Sequence, residues 1–317
     1  MESIEHTTLS VNGINMHVAQ LGSGPAVLFL HGFPELWYSW RYQILSLASS
    51  GYRAIAPDLR GYGDTDAPPS ADSYTVLHIV GDLVGLLDAL GLSKVYLVGH
   101  DWGAIIAWCF CIFRPDRIKA LVNMSVPFQP RRPLVKPMPT FRALLGDDFY
   151  MCRFQAVGEI EEEFARVDTA KLMKAFLSSR NPRPLQFTKE MDFKAVFEAP
   201  IPLPPWLTEE DINYYASKFS RTGFTGGLNY YRAIDLSWEL TAAWTGAQIT
   251  VPVKFITGDL DLVYHFPGAK EYIEDGGFKQ DVPSLQELVV MEGVAHFLNQ
   301  EKPHEINAHI LDFIQKF

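Results

Sequence analysis

Apolar residues gather into short unbroken runs along this chain of 317 residues. Ala26-Val27-Leu28-Phe29-Leu30 is one such run, and continuous apolarity of that length predicts a strand covered on both faces, as in a parallel sheet. Strands are predicted at residues 5–11, 16–21, 26–31, 53–57, 95–100 and 120–126. From the third onward they alternate with helical patterns at 37–50, 76–90 and 102–113. Strand and helix in alternation predict an α/β architecture with a mostly parallel central sheet and right-handed crossovers.

The alternation stops after Val126. Residues 127–246 are proline-rich and helical, with amphipathic stretches at 159–167, 169–179 and 208–222 and no clear buried strand. The sheet pattern returns at 253–258 and 288–291, and a helix at 303–317 closes the sequence. These shifts predict a core of residues 1–126 and 247–317 carrying an inserted helical lid, 127–246.

The most informative stretch is Leu97-Val98-Gly99-His100-Asp101-Trp102-Gly103-Ala104, an apolar strand ending in a small-x-nucleophile-x-small turn. Such a turn strains its central residue and lifts that side chain above the sheet. Gly99 and Gly103 fit because the flanking backbones come too close for a larger side chain. Asp101 stands at the centre. A carboxylate is nucleophilic at neutral pH without a base, and it suits attack on an sp3 carbon better than attack on an acyl carbonyl. Ser125 lies in no elbow, so no serine-type esterase is expected.

An ester on Asp101 needs a second group to remove it. Asp261, in Thr257-Gly258-Asp259-Leu260-Asp261, follows one returning strand, and His296, in Gly293-Val294-Ala295-His296-Phe297, follows the other. Nucleophile, acid and histidine thus run in the chain order of an α/β-hydrolase, each beyond the C-terminal end of a strand. His296 is the candidate base for water, with Asp261 orienting its imidazole. Asp259 is a rival, since a Gly-Asp turn after a strand also arises from turn chemistry alone. His31-Gly32-Phe33-Pro34-Glu35 follows the third strand, where this fold draws one oxyanion-hole N–H. The donors would be the main chains of Phe33 and Trp102. Glu35, after Pro34, is expected in a first helical turn with a candidate role in positioning water. His100 reads as packing.

His31–Glu35, Gly99–Ala104, Gly258–Asp261, Ala295-His296-Phe297 and Asp58-Leu59-Arg60-Gly61-Tyr62-Gly63-Asp64 together resemble the α/β-hydrolase-fold epoxide hydrolases. The match is closest to the soluble plant enzymes and covers nearly the whole chain. It implies that fold, with a lid, and hydrolysis of aryl, alkyl or fatty-acid epoxides to vicinal diols, in detoxification or lipid-epoxide turnover. It favours Asp261 over Asp259 and maps two acidic lid tyrosines onto Tyr150 and Tyr231. Spacing alone does not separate Tyr231 from Tyr230. Haloalkane dehalogenases share the Asp-Trp elbow and form the first alternative. Their halide wants N–H donors, whereas an opening epoxide leaves a basic alkoxide that wants a proton, which a tyrosine keeps at neutral pH. Phe33, where dehalogenases carry Asn or Gln, weighs toward the epoxide. A non-catalytic ligand receptor on the same scaffold is the second alternative.

The net charge of −10 disfavours nucleic acid and anionic membrane as partners. Met1-Glu2-Ser3-Ile4-Glu5-His6 lacks the basic and apolar regions of a signal peptide, and the apolar run 104–113 is too short to span a bilayer. Cys109, Cys111 and Cys152 have no metal-ligand spacing and fit a reduced, cytoplasmic protein. The expected partner is a small-molecule epoxide, with no cofactor and no metal, in a monomer or weak homodimer.

Overall fold

In the computed structural model, residues 3–317 are described; Met1 and Glu2, where the reading for a targeting segment began, lie outside the described residues. The described strands are β1 (Glu5–Val11), β2 (Ile14–Leu21), β3 (Ala26–Leu30), β4 (Arg53–Pro57), β5 (Val95–His100), β6 (Ile118–Met124), β7 (Val253–Gly258) and β8 (Leu285–Met291). They form one sheet in the order β1-β2-β4-β3-β5-β6-β7-β8. β1 and β2 pair antiparallel, β2 meets β4 antiparallel, and every pair from β4 to β8 is parallel. The fold is therefore the α/β-hydrolase fold, its mostly parallel sheet flanked by helices. All residues of β3, β5 and β7 are buried, as unbroken apolar runs require when helices cover both faces.

The helices on the sheet are α1 (Arg41–Ser49), α2 (Val76–Ala89) and α3 (Trp102–Phe113). The pattern expected at 37–50 divides into a 3-10 turn, Trp37–Trp40, and α1. Strand bounds also move by a few residues: β2 begins at Ile14, β6 runs from Ile118 to Met124, and β8 starts at Leu285. At these ends hydrogen bonding to a neighbouring strand decides, and apolarity does not report it.

Between β6 and β7 come α4 (Pro137–Leu145), α5 (Tyr150–Arg153), α6 (Glu159–Ala165), α7 (Thr169–Leu177), α8 (Phe193–Phe197), α9 (Glu209–Thr222), α10 (Thr225–Arg232) and α11 (Ile234–Leu240). α7 buries Leu172, Met173, Phe176 and Leu177, the three-and-four spacing that aligns side chains on one helix face. α9 opens with a reciprocal cap. The Thr208 hydroxyl accepts from the Asp211 amide at 3.1 Å, and the Asp211 carboxylate accepts from the Thr208 amide at 2.9 Å. Asp211 also receives the Tyr38 hydroxyl at 2.9 Å and lies 3.2 Å from the Arg41 guanidinium, tying α9 to the start of α1.

After β7 the chain forms α12 (Ala269–Glu274) and α13 (Gly277–Asp281), and after β8 α14 (Leu298–Glu301) and α15 (Pro303–Ile314). No helix among the described residues is long and apolar enough to cross a membrane.

Candidate active site

Asp101 joins β5 to α3 at φ 52°, ψ −120°, a backbone conformation that costs a non-glycine residue of order 1–3 kcal/mol. Its neighbours enforce the turn. A methyl group at Gly103 would collide with the Leu30 carbonyl oxygen, and one at Gly99 would come within 2.7 Å of the Gly103 oxygen. The strain leaves the carboxylate above the sheet, 8% exposed.

One oxygen of that carboxylate is already held. The Phe33 amide donates to Asp101 Oδ1 at 2.7 Å. Trp102 is the first residue of α3, where an amide has no acceptor within its own helix, so its N–H is also free for an oxygen at Asp101. The loop that presents Phe33 is pinned by His31, whose Nδ1 donates to the Gly32 carbonyl at 2.9 Å and whose Nε2 accepts from the Leu59 amide at 3.0 Å.

The other oxygen faces His296. Asp101 Oδ2 lies 3.5 Å from Nε2, while Nδ1 on the opposite side of the ring donates to Asp261 Oδ1 at 2.9 Å. Asp261 is fully buried and accepts from the Val263 amide at 2.9 Å. Burial alone would raise its pKa, but the His296 charge and hydrogen bonds lower it below the usual carboxylate value. Burial lowers the pKa of His296, yet Asp261 and Asp101 outweigh it and hold the imidazole well above 6.5. Asp259 does something else: its side chain accepts from the Gly293 amide at 2.7 Å, closing the turn between the two loops. Of the two aspartates, Asp261 is the one that the structure brings against His296.

Tyr150 begins α5 and Tyr231 lies on α10, and their rings meet edge to face at 5.8 Å. Tyr231 also packs on Trp102 and Phe33 at 5.1 and 5.5 Å, directly over the elbow. Both are nearly buried, and burial followed by neighbouring groups that include the Asp101 charge pushes both phenols well above 10, so they keep their protons. Tyr230 points elsewhere, its hydroxyl donating to the Arg60 carbonyl at 2.9 Å. Adjacent helical residues diverge by about 100°, so although both rings touch Trp102, Tyr231 is the one of the pair that also meets Phe33 and Tyr150.

Glu35 departs from its expected place. It closes a tight turn ahead of the 3-10 segment, its amide donating to Gly32 O at 3.0 Å, and its side chain is fully buried. Its carboxylate accepts from the Gly32 amide at 2.9 Å and from His100 Nδ1 at 2.7 Å. His100 is correspondingly more than packing. Its Nε2 donates to the His296 carbonyl at 2.7 Å, so both ring nitrogens face acceptors and the imidazole bridges two site loops. Despite burial, His100 and the Gly32 amide bring Glu35 down to about 2.

Ser125 is the other residue that apolar periodicity did not mark. Its hydroxyl stands 3.2 Å from His296 Nδ1. Nothing in the sequence signals it, since the strand expected at 120–126 contains it, whereas β6 ends at Met124 and leaves Ser125 one residue beyond.

Comparison with known proteins places these residues in context. Residues 25–303 match the model of the alpha/beta hydrolase fold family. The chain is 68% identical to Epoxide hydrolase 2 of Siraitia grosvenorii, covering 100% of both proteins. It is 37% identical to Epoxide hydrolase A of Mycobacterium tuberculosis, covering 96% of each. The crystal structure of an epoxide hydrolase from Vigna radiata superposes with a TM-score of 0.98 at 60% identity, covering 100% of this chain and 99% of the other.

Proposed function

The chain belongs to the epoxide hydrolases of the α/β-hydrolase fold, and on that premise we propose that it opens epoxides through an ester on Asp101. Asp101 Oδ2 attacks one epoxide carbon in line with the breaking C–O bond. The bonding pair moves to the ring oxygen, which takes a proton from Tyr150 or Tyr231. This leaves a hydroxyalkyl ester whose carbonyl oxygen is Oδ1, the atom the Phe33 amide already holds at 2.7 Å.

His296 then removes a proton from water, and the resulting hydroxide adds to the ester carbonyl carbon. The Phe33 and Trp102 amides hold the oxyanion, and its collapse expels the diol oxygen, protonated by the imidazolium; the acid proton this leaves on Asp101 returns to the phenolate of the first step, restoring both groups. Asp261 keeps the ring oriented with Nε2 toward the ester. Glu35 serves by fixing the Gly32–Phe33 loop and, through His100, the main chain of His296; from there it positions the attacking water. The helices of residues 127–246 form the lid, which excludes bulk water, and its aromatic lining suits aryl, alkyl or fatty-acid epoxides.

The observation that carries the reading is the pair of buried phenols beside the elbow, their rings 5.8 Å apart with Tyr231 against Trp102 and Phe33, both held protonated by burial and by neighbouring groups that include the Asp101 charge. That arrangement supports an oxygen leaving group over a halide. The test is a single turnover in 18O-water with enzyme in excess over an aryl epoxide. Unlabelled oxygen should enter the diol from Asp101, and label should stay in the enzyme. Labelled diol with unlabelled enzyme overturns the covalent route. Halide release from a haloalkane without epoxide turnover points to the dehalogenase, and binding without turnover to a receptor.

A further inference from the structure

In the sheet, β6 lies between β5, which ends at the nucleophile, and β7, which leads to Asp261. Ser125 is the residue just past β6. It is fully buried and takes a φ of 70°, a left-handed conformation that serine seldom adopts. Its amide donates to the Ile256 carbonyl of β7 at 2.9 Å, which locks that conformation. The outcome is a hydroxyl directed at the His296–Asp261 pair, 3.2 Å from Nδ1.

Two features of the pair call for such a hydroxyl. Asp261 Oδ2 is buried and, among the described residues, has no hydrogen-bond partner within ordinary geometry. The Nδ1 proton, donated to Oδ1 at 2.9 Å, passes beside the Ser125 oxygen. A serine hydroxyl both donates and accepts, and it turns about its C–O bond to suit. Its proton can therefore swing to the Asp261 carboxylate while a lone pair faces Nδ1–H. Burial raises the pKa of Asp261, and the His296 charge, its hydrogen bond and then the Ser125 hydrogen bond bring it below the usual carboxylate value.

We propose that Ser125 is a positioning residue for the second half-reaction, completing a Ser125–His296–Asp261 set that keeps the proton on Nδ1 and Nε2 free to take one from water. It touches neither substrate nor ester. Its effect therefore falls on ester hydrolysis and leaves alkylation by Asp101 alone. The inference rests on the aspartyl-ester reading.

The test uses Ser125→Ala and Ser125→Gly in the full chain. Glycine accepts a φ of 70° without strain, so it removes the hydroxyl and leaves the backbone at ease. Rapid mixing with styrene oxide, followed by acid quench and intact-protein mass measurement, gives the rates of ester formation and decay across pH. Ester decay should slow about three- to tenfold in both variants, with ester formation within about twofold of the unaltered enzyme. The pH at which decay is half-maximal should also shift in both. Unchanged decay and an unchanged pH profile in the glycine variant overturn the inference. So does an equal fall of both steps, which marks a merely structural hydroxyl. His296→Gln separates the two readings: no ester there sinks the covalent route itself, whereas ester there with unaltered decay in both Ser125 variants sinks only the role of Ser125.

Discussion

His296 Nε2 stands 3.5 Å from Asp101 Oδ2, so the residue assigned as base and the residue assigned as nucleophile form an ion pair before substrate arrives. The two carboxylates flanking the ring hold it, against burial, well above its ordinary 6.5. In the proposed reaction, alkylation turns Asp101 into a neutral ester and removes one of those charges. The imidazole would then lose its proton more readily, at the step where that reaction needs it as a base.

The pH dependence of the two half-reactions should therefore differ. Ester hydrolysis needs neutral His296 and should fall about tenfold per pH unit below its midpoint, whereas ester formation should not follow that limb. Stopped single turnovers between pH 5 and pH 9, scanned as a choice of range about the reference histidine value, separate the two. Parallel pH profiles would count against His296 as the base. The stability linkage has the opposite sense: with a raised folded pKa, the contribution of His296 to folding is complete below 6.5 and lost as pH rises through the folded value.

Replacing either phenol should slow ester formation without touching ester decay. Tyr150→Phe and Tyr231→Phe should each cost about 10- to 100-fold, and the double variant more than either single one, since each phenol covers in part for the other. Tyr230→Phe should leave the rate of ester formation near that of the unaltered enzyme, because its hydroxyl is spent on the Arg60 carbonyl. A slower alkylation in Tyr230→Phe than in Tyr231→Phe would reverse the assignment.

Asp261→Asn and Asp259→Asn make a matched pair. The first removes the acceptor 2.9 Å from His296 Nδ1 and should cut ester hydrolysis by about 10³-fold or more. The second loosens a turn and should show up in melting temperature, with turnover within about threefold. Comparable losses of hydrolysis in both would leave Asp261 without a special role.

Glu35→Gln tests the buried support beneath the site. Removing one partner of a buried hydrogen bond costs about 1–3 kcal/mol, and Glu35 and His100 are both fully buried. Chemical denaturation should report a loss on that scale. Glu35 is depressed from 4.5 to about 2, so its contribution is present above pH 4.5 and lost as pH falls through about 2. The acid limb of unfolding should accordingly flatten in the variant. An unchanged midpoint would mean the pair contributes nothing to stability.

How much of this was legible in the chain depends on what each residue does. Strands β3, β5 and β7 are legible because full burial writes an apolar run, and the elbow is legible because the close backbones around Asp101 demand glycine on both sides. His296 follows from its place after a strand, whereas Asp261 shares its loop with Asp259 and is preferred through the family resemblance. The short helices α5, α8 and α12 to α14 left no signal, since one or two turns cannot establish a period. Glu35 and His100 misled for one reason: in sequence a charged group next to proline and a histidine in a strand each look local. Their partners lie 65 residues apart along the chain and meet only when β3 and β5 become neighbours. Tyr231 could not be told from Tyr230 by spacing, because the face an irregularly packed helix presents is set by tertiary contact.

The bridge that His100 makes between Glu35 and the His296 carbonyl has a consequence for how this molecule can be altered. It fastens three chemistry-bearing loops to one another beneath the nucleophile, using side chains that all belong to the sheet-bearing part of the chain. The helices between β6 and β7, which in the proposed function supply hydroxyls and walls, contribute none of the bonds in that bridge. Libraries confined to residues 127–246, with Tyr150 and Tyr231 kept, can thus reshape which epoxide face and which carbon are presented while the ester-cleaving apparatus stays in register.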